Sequence, residues 1–152
     1  MDLRERINTA LKDAMRAKEA DRLSTLRLIN AAIKDREIAL RGEGDGGEVG
    51  DEAILAILGR MVKQRLESAR AYEEGGRIEL AEKERAEIGV IEEFLPRQLT
   101  QAEVEDAIVA AIAEVGATSV RDMGRVMAAL KARHTGQMDF GRVGGSVKER
   151  LG

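Results

Sequence analysis

The chain has 152 residues, enough for one ordinary domain or two small ones with a self-sufficient core. Aromatics are only 2% of it and proline occurs once, so the core must be built from Leu, Ile, Val, Met and Ala, and sparse β-branched alternation argues against a sheet. The absence of cysteine excludes disulfides, thiolate metal sites and a cysteine nucleophile, while a 35% charged content with interleaved signs suits amphipathic helices.

No apolar run approaches the roughly 20 residues that a membrane-spanning helix needs. The opening, MDLRERINTALKDAMRAK, is amphipathic with acids mixed in, so it reads as neither a secretory signal nor a transit peptide. These features set the expectation of a cytoplasmic location with no membrane contact. The net charge of −3 is unevenly placed: residues 1–95 hold 17 Lys/Arg against 21 Asp/Glu, whereas residues 121–152 hold 7 against 3. A basic end of this kind hints at an anionic partner, although a solvated face is the simpler explanation on composition alone.

The first helix is expected over about residues 2–18, where Leu3, Ile7, Leu11 and Met15 recur at i+4 and Asp2 suits the helix dipole. A second, over about 21–41, carries Leu23, Leu26, Ile29, Ile33 and Leu40, and the short link at Glu19–Asp21 makes an antiparallel hairpin. Residues 41–50, RGEGDGGEVG, read as a flexible acidic loop; the spacing and closing glutamate of a calcium loop are missing. Asp51 is the expected N-cap of a third helix over 51–74, with Ile54, Leu58, Met61, Val62, Leu66 and Ala69 on its apolar face. Gly75 is placed to end it in the left-handed conformation.

A fourth helix over 77–94 carries Ile78, Ala81, Ile88 and Ile91, with Glu79–Lys83 and Lys83–Glu87 as i,i+4 pairs. Pro96 stops it, and a domain boundary falls there, giving residues 1–96 and 97–152, with Arg97–Thr100 as a linker. Thr100 and Glu103 form a capping box for a fifth helix over 101–115 through Val104, Ile108 and Ile112, ended by Gly116. Ser119 is placed to cap a sixth over 119–132, with Met123, Val126, Met127 and Leu130 inside. His134–Gln137 forms a turn, and Asp139 caps a seventh over 140–150, with Val143, Val147 and Leu151. The fold class is therefore all-α: an N-terminal helical bundle and a small C-terminal three-helix domain.

No catalytic set emerges from the residue pattern. No serine sits in a nucleophile elbow, and the lone His134 lies in a polar turn that suggests a solvent-facing ring. Without a second histidine or any cysteine, only a carboxylate site for a hard cation could exist, and none is expected. Gly144 and Gly145 suggest close helix packing rather than a phosphate loop, since no strand precedes them. On the third helix, Gln64, Ser68 and Tyr72 share one stripe, Lys63 and Arg70 share another, and Arg65 flanks the apolar face. Glu84 and Glu87 return alongside on the fourth. An interhelical network that fixes the helix pair is the expected role, with a polar recognition face as the rival.

At these residues the chain resembles the GatB/YqeY family, small helical proteins similar to the C-terminal tail of the B subunit of glutamine-dependent tRNA amidotransferase. The resemblance is carried by Met61-Val62-Lys63-Gln64-Arg65, Glu67-Ser68, Tyr72, Arg77, Leu80, Glu84, Glu87 and Leu95-Pro96. It continues in Leu26-Arg27-Leu28, in Asp122-Met123-Gly124-Arg125-Val126-Met127, and in Gly136 with Asp139 before Val147-Lys148. Two departures are Phe94, where the family commonly has Tyr, and Met138-Asp139-Phe140, where it commonly has Ala-Asp-Gly. The resemblance implies two helical parts joined by a long, partly helical connection. It also implies a link to amidation of misacylated tRNA, but through a tRNA-holding tail and not through the kinase or transamidase site.

The reading that follows is a non-catalytic RNA-binding module related to a carbon–nitrogen ligase, without cofactor or metal. Arg121, Arg125, Lys131, Arg133, Arg142, Lys148 and Arg150 are its candidate phosphate contacts, while Lys63, Gln64, Arg65, Ser68, Tyr72, Arg77, Glu84, Glu87 and Pro96 form a structural seam. An adaptor that docks on an amidotransferase or synthetase subunit is the second reading. A small enzyme using Ser68 with Glu84 or Glu87 is the third.

Overall fold

A computed structural model describes residues 2–44 and 49–152. Seven α-helices and one 3-10 turn occur among them, and no strand. The chain divides into two compact units, Met1–Leu95 and Pro96–Gly152. Residues 93–100 between the helices on either side contain no further helix. Pro96 has no amide donor and keeps Leu95 out of the helical region, which ends the preceding helix.

The N-terminal unit holds α1 (Leu3–Arg16), α2 (Ala20–Gly42), α3 (Asp51–Glu74) and α4 (Ile78–Glu92). Ile7, Leu26, Ile29, Ile33, Ile54, Leu58 and Ile91 are fully buried and form its core, with Phe94 beside them. Three residues expected inside are exposed instead: Met15, Leu66 and Ile78. The cause is helical drift. Each i+4 step overshoots a turn by about 40°, so from Leu3 to Met15 the stripe rotates by about 120° and Ala14 takes the inward place. Two such steps turn Leu66 about 80° away from the buried Leu58 on α3, whereas Ile78 is exposed as the first residue of α4.

Caps settle the helix ends. Asp2 accepts from the Glu5 amide at 2.8 Å. Asp51 is not the cap of α3, a place held by Gly50; it is the first helical residue, and its carboxylate accepts from the Leu3 amide at 3.1 Å, which satisfies an orphan donor of α1. Gly75 is not left-handed either. Gly76 takes that conformation (φ 74°), and the Arg77 amide donates to the Tyr72 carbonyl at 2.7 Å, closing α3 in a Schellman motif. α2 runs on through Arg41 and Gly42, so the stretch read as an acidic loop begins later than expected; its residues 45–48 lie outside the described residues.

The C-terminal unit holds α5 (Gln101–Val115), the 3-10 turn Val120–Asp122, α6 (Met123–Arg133) and α7 (Phe140–Leu151). Ile108, Val126, Leu130 and Val147 are fully buried. The Thr100–Glu103 capping box forms, and Arg97 makes a bidentate pair with Glu103 at 2.9 Å. These donors hold the Glu103 carboxyl down at about 2. Gly116 is left-handed and closes α5 as Gly76 closes α3.

Arg97–Leu99 is not a free linker: the Leu99 amide donates to the Gln137 carbonyl and the Gln137 side chain donates to the Arg97 carbonyl. His134 belongs to the same turn. It is half-buried, not solvent-facing, and its Nδ1 lies 3.0 Å from Gln137 Oε1. Before α6, the Asp122 carboxylate accepts from the Thr118 and Ser119 amides, which lowers its pKa. A Cβ added at Gly144 would meet the methyl groups of Met123 and Met127, but one added at Gly145 would meet nothing within 4 Å.

Candidate functional site

α3 and α4 form the most extensive helix pair of the N-terminal unit. Their facing stripes bring together the seam residues read from the sequence. Gln64, Ser68 and Tyr72 come from α3 at one-turn spacing, and Leu80, Glu84 and Glu87 come from α4 at i, i+4 and i+7. The stripes do not close on each other. Between them lies a cleft of about 360 Å³, lined by Gln64, Arg65, Ser68, Tyr72, Leu80, Lys83, Glu84 and Glu87.

The expected network is only partly built. Arg65 Nε stands 3.9 Å from Glu87 Oε2, an ion pair too long for a hydrogen bond, and the Arg65 Nη1 donates to the Met61 carbonyl at 3.2 Å. The buried Nε–H of Arg65 has no acceptor. Among the described residues, Gln64, Ser68, Tyr72, Lys83 and Glu84 make no side-chain hydrogen bond or ion pair. The pairs Glu79–Lys83 and Lys83–Glu87 do not form: i,i+4 spacing permits an exposed ion pair without enforcing one, and Lys83 faces the cleft. The hairpin is pinned elsewhere, by Arg85 on Glu73 near the Gly75-Gly76 turn. Lys63 and Arg77 are exposed, and Pro96 is half-buried at the start of the other unit.

Ser68 has no hydrogen bond to Glu84 or Glu87, so no nucleophile is held on a base. Among the described residues no group of three or more His, Asp or Glu could hold a metal ion. Lys83 is the lining residue that sequence reasoning missed. Its position one residue before Glu84 was the available signal, but an exposed lysine between two glutamates reads as an ion-pair ladder.

In the C-terminal unit all seven candidate phosphate contacts are exposed. Two are engaged by the protein itself. Arg125 donates to the Val115 carbonyl at 2.6 Å and lies 3.7 Å from Asp122, while Arg133 pairs with Glu114 at 2.7 Å. The side chains of Arg121, Lys131, Arg142, Lys148 and Arg150 make no hydrogen bond or ion pair among the described residues. Arg142 and Ser146, one turn apart on α7, line a second cleft of about 310 Å³ with Gln101, Val104, Gly145 and Glu149. The acids of this unit sit mostly on α5, which carries Glu103, Glu105, Asp106 and Glu114. The free cations lie on α6, α7 and the turn before α6.

Curated relatives share this sequence in part. The protein called Altered inheritance of mitochondria protein 41, mitochondrial, from Meyerozyma guilliermondii is 37% identical over 100 residues, 64% of this chain and 50% of that protein. Its namesake from Clavispora lusitaniae is 39% identical over 85 residues, 56% of this chain and 46% of that protein. A third, from Pyrenophora tritici-repentis, is 28% identical over 133 residues, 84% of this chain and 71% of that protein. The chain thus spans about half the length of the first two. Their names also overturn the expected cytoplasmic location, because these relatives are mitochondrial proteins. A lack of cysteine and of long apolar runs describes many compartments and identifies none. Residues 4–151 match the family model described as Yqey-like protein, so this all-α, two-unit chain belongs to the Yqey-like family.

Proposed function

We propose that the C-terminal unit binds structured RNA, tRNA foremost, through its phosphates. The observation that carries this reading is a set of five exposed cations without an ion pair among the described residues, Arg121, Lys131, Arg142, Lys148 and Arg150, in a stretch where 7 Lys/Arg stand against 3 Asp/Glu. A cation already closed on a carboxylate has little to offer a phosphate, whereas a free one releases counterions on contact. Recognition rests on shape and backbone, because the chain has only two Phe, one Tyr and no Trp and so lacks an aromatic platform for unstacked bases. The likeness to the tail of a tRNA amidotransferase subunit supports the same reading and makes the module an accessory one, without the transferase chemistry.

A titration with deacylated tRNA at two salt concentrations tests it. Five phosphate contacts give a log–log salt slope of about −4. No binding at low salt, or binding that ignores salt, contradicts the proposal. In that case a pull-down after nuclease treatment decides for the adaptor role, if an amidotransferase or synthetase subunit is retained.

A further inference from the structure

The cleft between α3 and α4 has a charge balance that the RNA reading does not use. It holds two cations, Arg65 and Lys83, and two carboxylates, Glu84 and Glu87. A phosphate would be drawn by the first pair and repelled by the second, and a metal cation the reverse. A ligand that carries both signs at short separation meets neither conflict.

Three further features fit a small ligand of that kind. The cleft, at about 360 Å³, is near the lower end of the range for small-molecule sites. Gln64, Ser68 and Tyr72 line one wall at successive turns and together offer side-chain donors and acceptors with no partner among the described residues. Arg65 is held in place through the Met61 carbonyl, so its guanidinium is positioned without being consumed by Glu87 at 3.9 Å. A helix pair whose seam were only structural would satisfy these groups on each other, as Arg85 and Glu73 are satisfied at the other end of the same hairpin.

We propose that this cleft binds a small zwitterion of amino-acid size. Its carboxylate is received by Arg65 and Lys83, and its ammonium group by Glu84, with Glu87 behind. Ser68 and Tyr72 supply hydroxyls to the backbone or side-chain polar atoms of the ligand. The site is independent of the RNA contacts, which belong to the other unit.

The test is a two-dimensional NMR titration of the full chain with each of the free L-amino acids in turn, and with acetate and ethylammonium as the two half-ligands. At least one amino acid is expected to shift the amide signals of α3 and α4 saturably, while acetate and ethylammonium alone saturate more weakly. Glu84→Gln should remove the saturation, and Ser68→Ala should weaken it about tenfold, the effect of one hydrogen bond to a charged or polar group. Both positions are half-buried at most, so the folded spectrum is retained and each variant remains interpretable. If no amino acid saturates, or if Glu84→Gln binds as well as the parent chain, the proposal is wrong. Loss of this binding with tRNA binding intact would separate the two sites.

Discussion

Arg22 of α2 and Arg142 of α7 are the same side chain put to different uses. Arg22 closes on Glu93 and lies 3.7 Å from Glu19; the Glu93 hydrogen bond raises its pKa. Arg4 closes on Glu37, and that hydrogen bond lowers the Glu37 carboxyl. In the C-terminal unit Arg142 has no such partner, nor do Arg121, Lys131, Lys148 and Arg150. The N-terminal unit uses arginine to fasten helices that already share a large core. The C-terminal unit fastens Arg97, Arg125 and Arg133 but leaves five further cations outward, and it depends on a few buried aliphatic residues. Exposed cations unpaired among the described residues occur in both regions, Arg27, Arg60 and Arg70 among those of the first. There, however, they stand in a stretch with 17 Lys/Arg against 21 Asp/Glu, whereas residues 121–152 hold 7 against 3, a distinction that total net charge hides.

The smallness of the second core can be broken directly. Leu130→Ala should cost about 2–5 kcal/mol, comparable to the whole stability of a unit of this size. Hydrogen exchange should then show α5–α7 opening while α1–α4 remain protected. Ile33→Ala costs a similar amount but acts on the larger core, so it should leave the C-terminal amides protected. Equal loss of protection in both regions from either change would mean that they unfold as one.

The caps sharpen the same contrast. Thr100→Ala removes one half of the α5 capping box and should lower stability of that unit by about 1 kcal/mol in a denaturant melt. Acid should attack the same end. The folded Glu103 carboxyl is held at about 2, below the ordinary glutamate value of about 4.3. Its contribution is complete above the ordinary value and is lost as pH falls toward about 2. Protection of the first α5 amides should fade across that interval, and a flat profile would contradict the role of Arg97 and Glu103.

The smallest effect is a gain. Gly89 in α4 and Gly145 in α7 both sit in helices where an added Cβ meets nothing within 4 Å. Gly89→Ala and Gly145→Ala should each stabilise their own unit by about 0.5–1 kcal/mol, read as a shift in its melting midpoint.

Much of the architecture was legible because helices announce themselves by period and by caps. Thr100 with Glu103, Asp139 and Gly116 act as the sequence predicts. What could not be read was which of several acceptors a polar side chain chooses. Asp51 looked like the cap of its own helix and serves α1, 48 residues away. Met15 extended an i+4 stripe that the 3.6-residue turn carries out of the core. The stripe of Gln64, Ser68 and Tyr72 was visible, and so were Glu84 and Glu87. That they line an open cleft instead of bonding across it depends on the spacing between two helix axes, which residue pattern alone does not specify.

The central claim is that the free cations of the C-terminal unit, not exposed cations in general, make the RNA surface. The direct measurement is the affinity for deacylated tRNA, against salt, of two double variants of the full chain. Arg142→Gln with Lys148→Gln removes two free charges; Arg16→Gln with Arg85→Gln removes two exposed charges that lie within 4.0 Å of Asp13 and Glu73. The first pair should weaken binding and flatten the salt slope by about 2, while the second should leave both nearly unchanged. Equal weakening by the two pairs, or none by either, would contradict the account.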